Sequence, residues 1–212
     1  MRHIQGASEI LYRSLLKLLA FLDATADWQV PYGPAARAVL LAHLESHATV
    51  FRADMVKPMD PITFSDSDGD PNPTQSVLTF LNGGLVLYRV KKLNLHTLSQ
   101  CESEYFAATL AATMLMALDY TLEFYNPPYE KPYLIFCDNK AVCQLTQSDH
   151  SSRRMLHVAR RLLYLKERYS NGDIITTFVR TTGNLADLGT KLLGSARFHE
   201  LCSILYARES TS

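Results

Sequence analysis

Four acidic residues stand where predicted strands end or predicted helices begin. Asp66 lies at the end or in the middle of the β-rich segment ITFSD, and Asp138 directly follows the apolar run YLIFC. Glu104 lies in the first turns of a long helical segment, and Asp187 lies in the first turn of the last predicted helix. Because the four residues are far apart in the sequence, only a fold that places these elements side by side can bring the carboxylates together.

Four clustered carboxylates would repel one another unless a cation neutralised them. Mg²⁺ prefers oxygen ligands, keeps several waters and binds through a few carboxylates together with substrate phosphate. Two such ions about 4 Å apart can activate a water and stabilise the leaving oxygen in phosphodiester cleavage. The residue types therefore allow the hypothesis of a metal-dependent phosphodiester hydrolase.

Each acidic residue also has a purely structural interpretation. Asp138, which precedes the segment NKAV, could be a helix N-cap, and Glu104 could interact with the helix dipole. Asp187 could be a surface carboxylate, as most aspartates are. Taken one at a time, these structural roles are the commoner ones, so composition and spacing alone leave the metal site as the minority interpretation.

The elements that must position these residues follow from the hydrophobic pattern. Strands are predicted over ITFSD, Ser76–Leu81, Leu85–Val90, Tyr133–Cys137 and Asp173–Val179, and the run Asn82-Gly83-Gly84 predicts a hairpin between the second and the third. Helices are predicted over residues 8–23, 35–47, 101–123, 139–147, 151–169 and 184–193. The order from residue 60 onwards predicts a mixed sheet covered by helices. If the first and fourth strands are neighbours at the centre of that sheet, Asp66 and Asp138 emerge side by side.

The composition is that of a globular protein with a packed core. Of the 212 residues, 47% are hydrophobic and 20% are charged. The four cysteines form no CxxC pair, which favours reduced thiols in an intracellular protein. The N-terminus does not have the pattern of a secretory signal, and the apolar stretch Leu15–Leu22 is too short to span a bilayer. We therefore expect an intracellular, non-secreted protein, cytoplasmic or nuclear, without membrane association.

Five sequence blocks between roughly residues 60 and 194 are similar, in order and with near-matching gaps, to the blocks of one family. They read FSDSDGDP, LSQCESEYFAA, LIFCDNKAVCQL, SRRMLHVARRLLYLKERYSNGDI and TTGNLADLGTKLL. They resemble YSDAD, LSSTEAEYIAL, IYCDNQSAI, SRTKHIDIRYHFIREKVEDGEI and TEEQLADIFTKPL of the ribonuclease H domain of copia-type retrotransposon polyproteins. Each block alone is weak, whereas the ordered set is specific.

The resemblance implies an α/β fold of the ribonuclease H type, a five-stranded mixed sheet with helices on both faces, preceded by a short helical extension. Residues 59–194 would form this domain, residues 1–58 resemble the end of a reverse transcriptase, and residues 195–212 would be a C-terminal tail. The implied activity is hydrolysis of the RNA strand of RNA–DNA hybrids with two Mg²⁺ ions, for which Mn²⁺ can substitute. The resemblance also implies, as a possible partner, a reverse transcriptase polymerase domain that is missing from this chain, because no polymerase motif occurs in the sequence.

The family's site residues match Asp66, Glu104, Asp138 and Asp187. The resemblance selects Glu104 over Glu102 because Glu104 immediately precedes the aromatic residue of its block. Some positions depart from the family pattern, which usually has tryptophan at residue 69, threonine at 101 and more polar residues at 159 and 163. These departures keep a second interpretation open, a catalytically degenerate nucleic-acid-binding or interaction module derived from the same domain.

The charge balance of the whole chain does not indicate a nucleic-acid-binding protein. Lysine plus arginine and aspartate plus glutamate number 21 each, whereas a typical nucleic-acid binder is basic. The positive charge is nevertheless clustered in one predicted helix and at the end of one predicted strand, at Arg153, Arg154, Arg160, Arg161, Lys91 and Lys92. These residues could contact the phosphate backbone of a hybrid without reading its sequence. The alternative interpretation is a solvated helix face.

Overall fold

The structure is a computed structural model that describes residues 9–70, 72–125, 130–148 and 159–208. The helices are α1 Glu9–Ala24, α2 Pro34–His47, α3 Gln100–Tyr125, α4 Lys140–Gln147, α5 Ala159–Ser170, α6 Asp187–Thr190 and α7 Ser195–Leu205. The strands are β1 Trp28–Gln29, β2 Ile62–Ser67, β3 Thr74–Leu81, β4 Gly84–Lys92, β5 Tyr133–Cys137, β6 Ile174–Phe178 and β7 Ala207–Arg208. Strands β1 and β7 pair with each other, and the other five strands form the main sheet.

The main sheet has the order β4-β3-β2-β5-β6 and is mixed. Strand β2 is antiparallel to β3 and parallel to β5, so the first and fourth predicted strands are neighbours at the centre. Phe64 of β2 lies opposite Phe136 of β5 in the register. Asp66 follows Phe64 by two residues, and Asp138 follows Phe136 by two residues. Because the two strands are parallel, both aspartates lie at the same end of these neighbouring strands.

The hairpin between β3 and β4 turns at Asn82 and Gly83, as the sequence predicts. Both residues have positive φ, 48° at Asn82 and 82° at Gly83, which is the requirement of a type I′ turn. Asparagine and glycine tolerate this region better than other residues do. The strands that the turn joins are longer than predicted because pairing continues to Thr74 and Lys92.

Helices cover both faces of the sheet, which confirms the predicted α/β fold class with a five-stranded mixed sheet. One face packs against α2 and α7 through an apolar core that includes Phe64, Phe80, Phe136, Leu40, Leu44, Leu201 and Leu205. The other face packs against α3, α4 and α5 through Val77, Tyr133, Ile135, Ala108, Leu115, Val142 and Leu165. The central strand β2 is buried along its whole length, which makes Asp66 a charged residue inside a core.

The C-terminal part of the described chain differs from the prediction of one helix over residues 184–193. A 3₁₀ turn at Thr181–Gly183 precedes the four-residue helix α6, and Lys191 is already extended with φ −118°. A second helix, α7, follows and buries Leu201 and Leu205 in the core, although its residues were expected in a tail. The division of the chain at residues 58 and 194 stays a prediction, and both α2 and α7 complete the core of the sheet.

Helix α3 is long and apolar enough to cross a membrane by length and composition alone. In the structure it packs on the sheet and buries Tyr105, Ala108 and Leu115. The core helix of a globular protein meets the same criteria. Because the described part of α5 begins at Ala159, the predicted helix residues 151–158 lie outside the described residues.

Candidate metal centre

Asp66 occupies the central strand, where no solvent reaches its side chain. It is fully buried, and the hydroxyl of Thr190 in α6 donates a hydrogen bond to its Oδ2. Its Oδ1 is buried and has no hydrogen-bond partner among the described residues. An unpaired buried carboxylate oxygen is costly, so it points to a group that the protein alone does not supply.

Asp138 follows β5 but does not cap the next helix. Asn139 is the N-cap of α4, and its Oδ1 accepts hydrogen bonds from the backbone N–H groups of Ala141 at 3.0 Å and Val142 at 3.4 Å. The structural interpretation of Asp138 as an N-cap is therefore wrong, because the adjacent asparagine takes that role. This leaves the Asp138 carboxylate free to approach Asp66.

Two glutamates near the start of α3 have separate roles. Ser99 accepts a hydrogen bond from the backbone N–H of Glu102 at 3.2 Å, and the Glu102 carboxylate accepts one from the backbone N–H of Leu98 at 2.8 Å. Glu102 thus stabilises the helix start in the manner of a capping box. Glu104 is 1% exposed, and its Oε2 has no hydrogen-bond partner among the described residues. The geometry agrees with the preference for Glu104.

Three of the four predicted carboxylates converge on one point. Asp66, Glu104 and Asp138 each offer a ligand oxygen, and these oxygens lie within 4.8 Å of one another. They come from a central strand, a helix and the end of a neighbouring strand. The fold therefore joins residues that the sequence separates, and the carboxylates form a compact acidic cluster.

Asp187, the fourth predicted residue, lies beside this cluster and is linked to it by Lys191. The Lys191 Nζ is 2.5 Å from a carboxylate oxygen of Asp187, 3.6 Å from one of Asp66 and 3.8 Å from one of Asp138. The ammonium group thus lies among three carboxylates. The sequence-based prediction missed Lys191, although its position four residues after Asp187 places both on one side of a helical turn.

Helix α6 is held in place by an asparagine and a glycine. The buried Asn184 donates from its Nδ2 to the carbonyl oxygen of Ser65 at 3.1 Å, and its Oδ1 accepts from the backbone N–H of Ala186 at 3.2 Å. A Cβ on Gly189 would lie 2.7 Å from the Val90 Cγ2 atom. The absence of a side chain at Gly189 therefore allows α6 to lie against β3 and β4, which brings Asp187 to the cluster.

The carboxyl groups of Glu104, Asp66 and Asp187 have raised pKa values. Burial raises the pKa of Glu104 to about 10, and the charges of Asp66 and Asp138 raise it further. Burial also raises the pKa of Asp66 to about 6, although the hydrogen bond from Thr190 and the charge of Lys191 oppose the change. The pKa of Asp187 is raised by burial as well. Such shifts are typical of functional sites where like charges have been brought together.

The residues present fit a hard divalent cation. The donor set consists of carboxylate oxygens, which Mg²⁺ and Mn²⁺ prefer. The unpaired oxygens of Asp66 and Glu104 supply ligand atoms that no described protein group uses. Asp66, Glu104 and Asp138 could hold such an ion directly. Asp187 could supply a further ligand oxygen on the side of the cluster where Lys191 lies.

The predicted basic residues that the structure describes lie on two elements, the end of β4 and helix α5. Lys91 and Lys92 are exposed at the end of β4, and Arg160 is exposed on α5. Arg161 is half-buried, and its guanidinium carbon lies 4.0 Å from the centre of the Phe106 ring. The remaining two predicted residues, Arg153 and Arg154, lie outside the described residues.

The chain is similar to part of a retrovirus-related Pol polyprotein from transposon TNT 1-94 of Nicotiana tabacum, with 27% identity over 145 residues. The match covers 68% of this chain but only 11% of the relative, so the chain spans about a tenth of that polyprotein. This relative confirms the predicted resemblance to a retrotransposon polyprotein. No protein-family model matches the chain.

Solved ribonuclease H structures are also similar to part of the chain. LC11-RNase H1 in complex with an RNA/DNA hybrid is 11% identical, and the match covers 61% of this chain and 93% of that chain with a TM-score of 0.47. Ribonuclease H1 from the halophilic archaeon Halobacterium salinarum is 15% identical, with 61% and 93% covered and a TM-score of 0.48.

Proposed function

We propose that the protein hydrolyses the RNA strand of RNA–DNA hybrids in a Mg²⁺-dependent reaction. The observation that carries this proposal is the convergence of Asp66, Glu104 and Asp138, whose ligand oxygens lie within 4.8 Å of one another. The similarity to a retrotransposon Pol polyprotein supports the same function. A hybrid is the substrate class that a retrotransposon ribonuclease H domain would meet.

Each residue of the site has a specific task in this proposal. Two bound Mg²⁺ ions would activate the attacking water and stabilise the leaving oxygen. Asp66, the most deeply buried of the four, would hold these ions together with Glu104, Asp138 and Asp187. Thr190 orients Asp66 through its hydrogen bond. The apolar core beneath β2 keeps these carboxylates fixed relative to one another.

The direct test is cleavage of a labelled RNA–DNA hybrid in Mg²⁺, with native protein and the Asp138→Asn variant compared side by side. We expect Asp138→Asn to lose roughly 100-fold or more in rate, because ligand loss weakens metal binding and activity strongly. Asp70→Asn is the matched control, since Asp70 is exposed and lies outside the cluster. Equal activity of native protein and Asp138→Asn would overturn the proposal.

A second candidate function is hybrid binding without cleavage, as expected of a degenerate module. The observation that favours it is the position of Lys191, whose ammonium group neutralises part of the cluster without a metal. This function requires salt-sensitive binding of the hybrid and no cleavage in Mg²⁺ or Mn²⁺. Lack of any binding at low salt would rule it out.

A further inference from the structure

Two cysteine thiols lie in contact next to Asp138. Cys137 is the last residue of β5, and Cys143 lies near the start of α4. Their sulfur atoms are 3.4 Å apart, although the two residues are six positions apart in the sequence. Both thiols are free, and the proposed reaction uses neither of them. The acidic cluster therefore does not account for the pair.

The geometry of the pair allows a disulfide bond. A single buried cysteine behaves as a small apolar side chain, whereas two sulfur atoms in contact can be joined. A disulfide holds its sulfur atoms about 2.05 Å apart, so the 3.4 Å separation has to shorten by more than about 1 Å. Strand β5 lies between β2 and β6 in the sheet, which fixes Cys137. The start of α4 therefore makes most of this movement.

Access to solvent differs between the two thiols and sets the order of their oxidation. Cys143 is 8% exposed, whereas the side chain of Cys137 is fully buried. Oxidation of a thiol follows its exposure as well as its thiolate character. Hydrogen peroxide is only slightly larger than water and can reach a sulfur atom that is open over a small area. Cys143 is therefore the thiol that peroxide meets first, and Cys137 is the resolving thiol behind it.

We propose that Cys137 and Cys143 form an oxidation site that peroxide converts to a disulfide, and that this disulfide weakens cation binding by the acidic cluster. In the first step the Cys143 sulfur attacks a peroxide oxygen, so that an S–O bond forms and the O–O bond breaks. The hydroxide that leaves takes the thiol proton and becomes water. In the second step the Cys137 sulfur attacks the sulfenic acid of Cys143, the S–S bond forms, and the S–O bond breaks. The leaving hydroxide takes the Cys137 proton, so two thiols are oxidised while one peroxide is reduced to two waters.

The disulfide acts on the cluster because Asp138 lies inside the segment that it closes. Asp138 directly follows Cys137, and the N-cap residue Asn139 belongs to the same segment. The other two carboxylates of the cluster belong to β2 and α3, outside it. Movement of this segment displaces Asp138 and separates ligand oxygens that lie within 4.8 Å of one another in the reduced protein. The effect on the metal rests on the proposed function, whereas formation of the disulfide does not.

The first experiment detects the bond itself. The whole chain is treated with hydrogen peroxide in EDTA and denatured, its remaining thiols are alkylated, and it is digested with trypsin. Lys140 lies between the two cysteines, so trypsin cuts the chain there and the disulfide leaves two peptides joined. Mass spectrometry should find the joined peptides, and dithiothreitol should separate them. Absence of the joined peptides, or joining to Cys101 or Cys202 in their place, would overturn the proposal.

The second experiment measures the effect on the cluster. Mg²⁺ binding to reduced and to oxidised protein is measured by calorimetric titration after the peroxide has been removed. The backbone amides of Ala141 and Val142, which donate to the cap residue Asn139, are followed by ¹H–¹⁵N NMR in EDTA. Oxidation should weaken Mg²⁺ binding about 10-fold, as loss of support for a metal ligand does, and should shift both amide resonances. Dithiothreitol should reverse both changes.

Two kinds of variant serve as controls. Cys143→Ala and Cys143→Ser remove the first thiol, so peroxide should change neither their Mg²⁺ affinity nor their amide resonances. Their melting temperatures verify that they are folded. Cys101→Ser is the matched control, because Cys101 is the most exposed of the four thiols and lies outside the pair. It should respond to peroxide as native protein does, and loss of the response in this variant would contradict the assignment.

The outcomes separate this inference from the proposed function. If the joined peptides form but Mg²⁺ binding is unchanged, the disulfide does not act on the cluster and this part of the proposal is overturned. If reduced protein cleaves the hybrid and peroxide yields no joined peptides, only the oxidation site fails. If reduced protein neither binds Mg²⁺ nor cleaves the hybrid, the proposed function fails. In that case the joined peptides and the amide shifts still support the oxidation site, and their absence overturns it.

Discussion

At the scale of single residues, the buried carboxylates make the stability of the metal-free protein depend on pH. Burial raises the pKa of Glu104 from 4.5 to about 10 and that of Asp66 from 3.8 to about 6. The folded protein therefore holds protons that the unfolded chain has already released, and unfolding releases them. The contribution of these two groups to stability is fully present below their unfolded pKa values and is lost as pH rises through the folded ones.

Glu104→Gln should remove most of this pH dependence. In EDTA, the melting temperature of native protein should fall between pH 7 and pH 9, above the pKa of Asp66, whereas that of Glu104→Gln should stay nearly constant over this range. Thermal unfolding monitored by circular dichroism measures both. Glu123→Gln, a change on the exposed side of α3, should keep the native slope. An equal slope in native protein and Glu104→Gln would contradict the assignment of the buried proton to Glu104.

Lys191 should act as the counterion of the cluster when no metal is bound. Lys191→Met should lower the free energy of unfolding in EDTA by about 1–2 kcal/mol, because three carboxylates lose an ion-pair partner that is only partly exposed. Mg²⁺ should restore more stability to this variant than to native protein. Denaturant unfolding with and without Mg²⁺ measures both values, and Lys17→Met on the exposed side of α1 is the control. An unchanged response to Mg²⁺ would exclude this role.

The site was only partly predictable from residue types. Asp66 and Asp138 could be singled out because each stands beside an apolar run, and neighbouring parallel strands bring such positions together, but only the family resemblance favoured a metal site over the commoner structural roles. Glu104 was found through family resemblance, since Glu102 lies in the same turn and only the capping contact in the structure separates their roles. Lys191 was not found, because a lysine near the end of a short helix has no distinguishing local pattern.

At the scale of elements, the position of Asp187 depends on how closely α6 approaches the sheet. Gly189→Ala should destabilise the protein by about 1–3 kcal/mol, because its Cβ would overlap atoms of Ser76 and Val90. It should also weaken Mg²⁺ binding, since α6 carries Asp187 and Thr190. Calorimetric titration of Mg²⁺ and denaturant unfolding provide the two measurements. Gly194→Ala is the matched control, because a Cβ there meets no atom within 4 Å.

The strands and long helices were predictable because their patterns are local. The prediction for Tyr133–Cys137 agrees with β5 at both ends, since prolines and an aspartate flank a continuous apolar run. The C-terminal helices were not predictable in the same way. Helix α6 is too short to show periodicity, and Leu201 and Leu205 of α7 become core residues only through packing against α2 and the sheet.

At the scale of the whole molecule, helix α2 packs into the core beside the main sheet. This helix lies in the segment that resembles the end of a reverse transcriptase. Leu44 of α2 is fully buried, whereas Val39 on the same helix is 50% exposed. Leu44→Ala should cost about 2–5 kcal/mol of stability, as loss of a buried leucine side chain does. Val39→Ala should cost well under 1 kcal/mol. Equal, small effects in denaturant unfolding would show that α2 is separate from the domain.

The position of Lys191 late in the sequence has a consequence for how the chain folds while it is being synthesised. Asp66, Glu104 and Asp138 leave the ribosome well before residue 191, and N-terminal parts of a chain are available to fold first. A nascent sheet of β2, β3 and β5 covered by α3 would bury three carboxylates with no ammonium group among them. Such burial is costly unless the groups are neutralised. We therefore expect the sheet centre to close only after Lys191 has been synthesised.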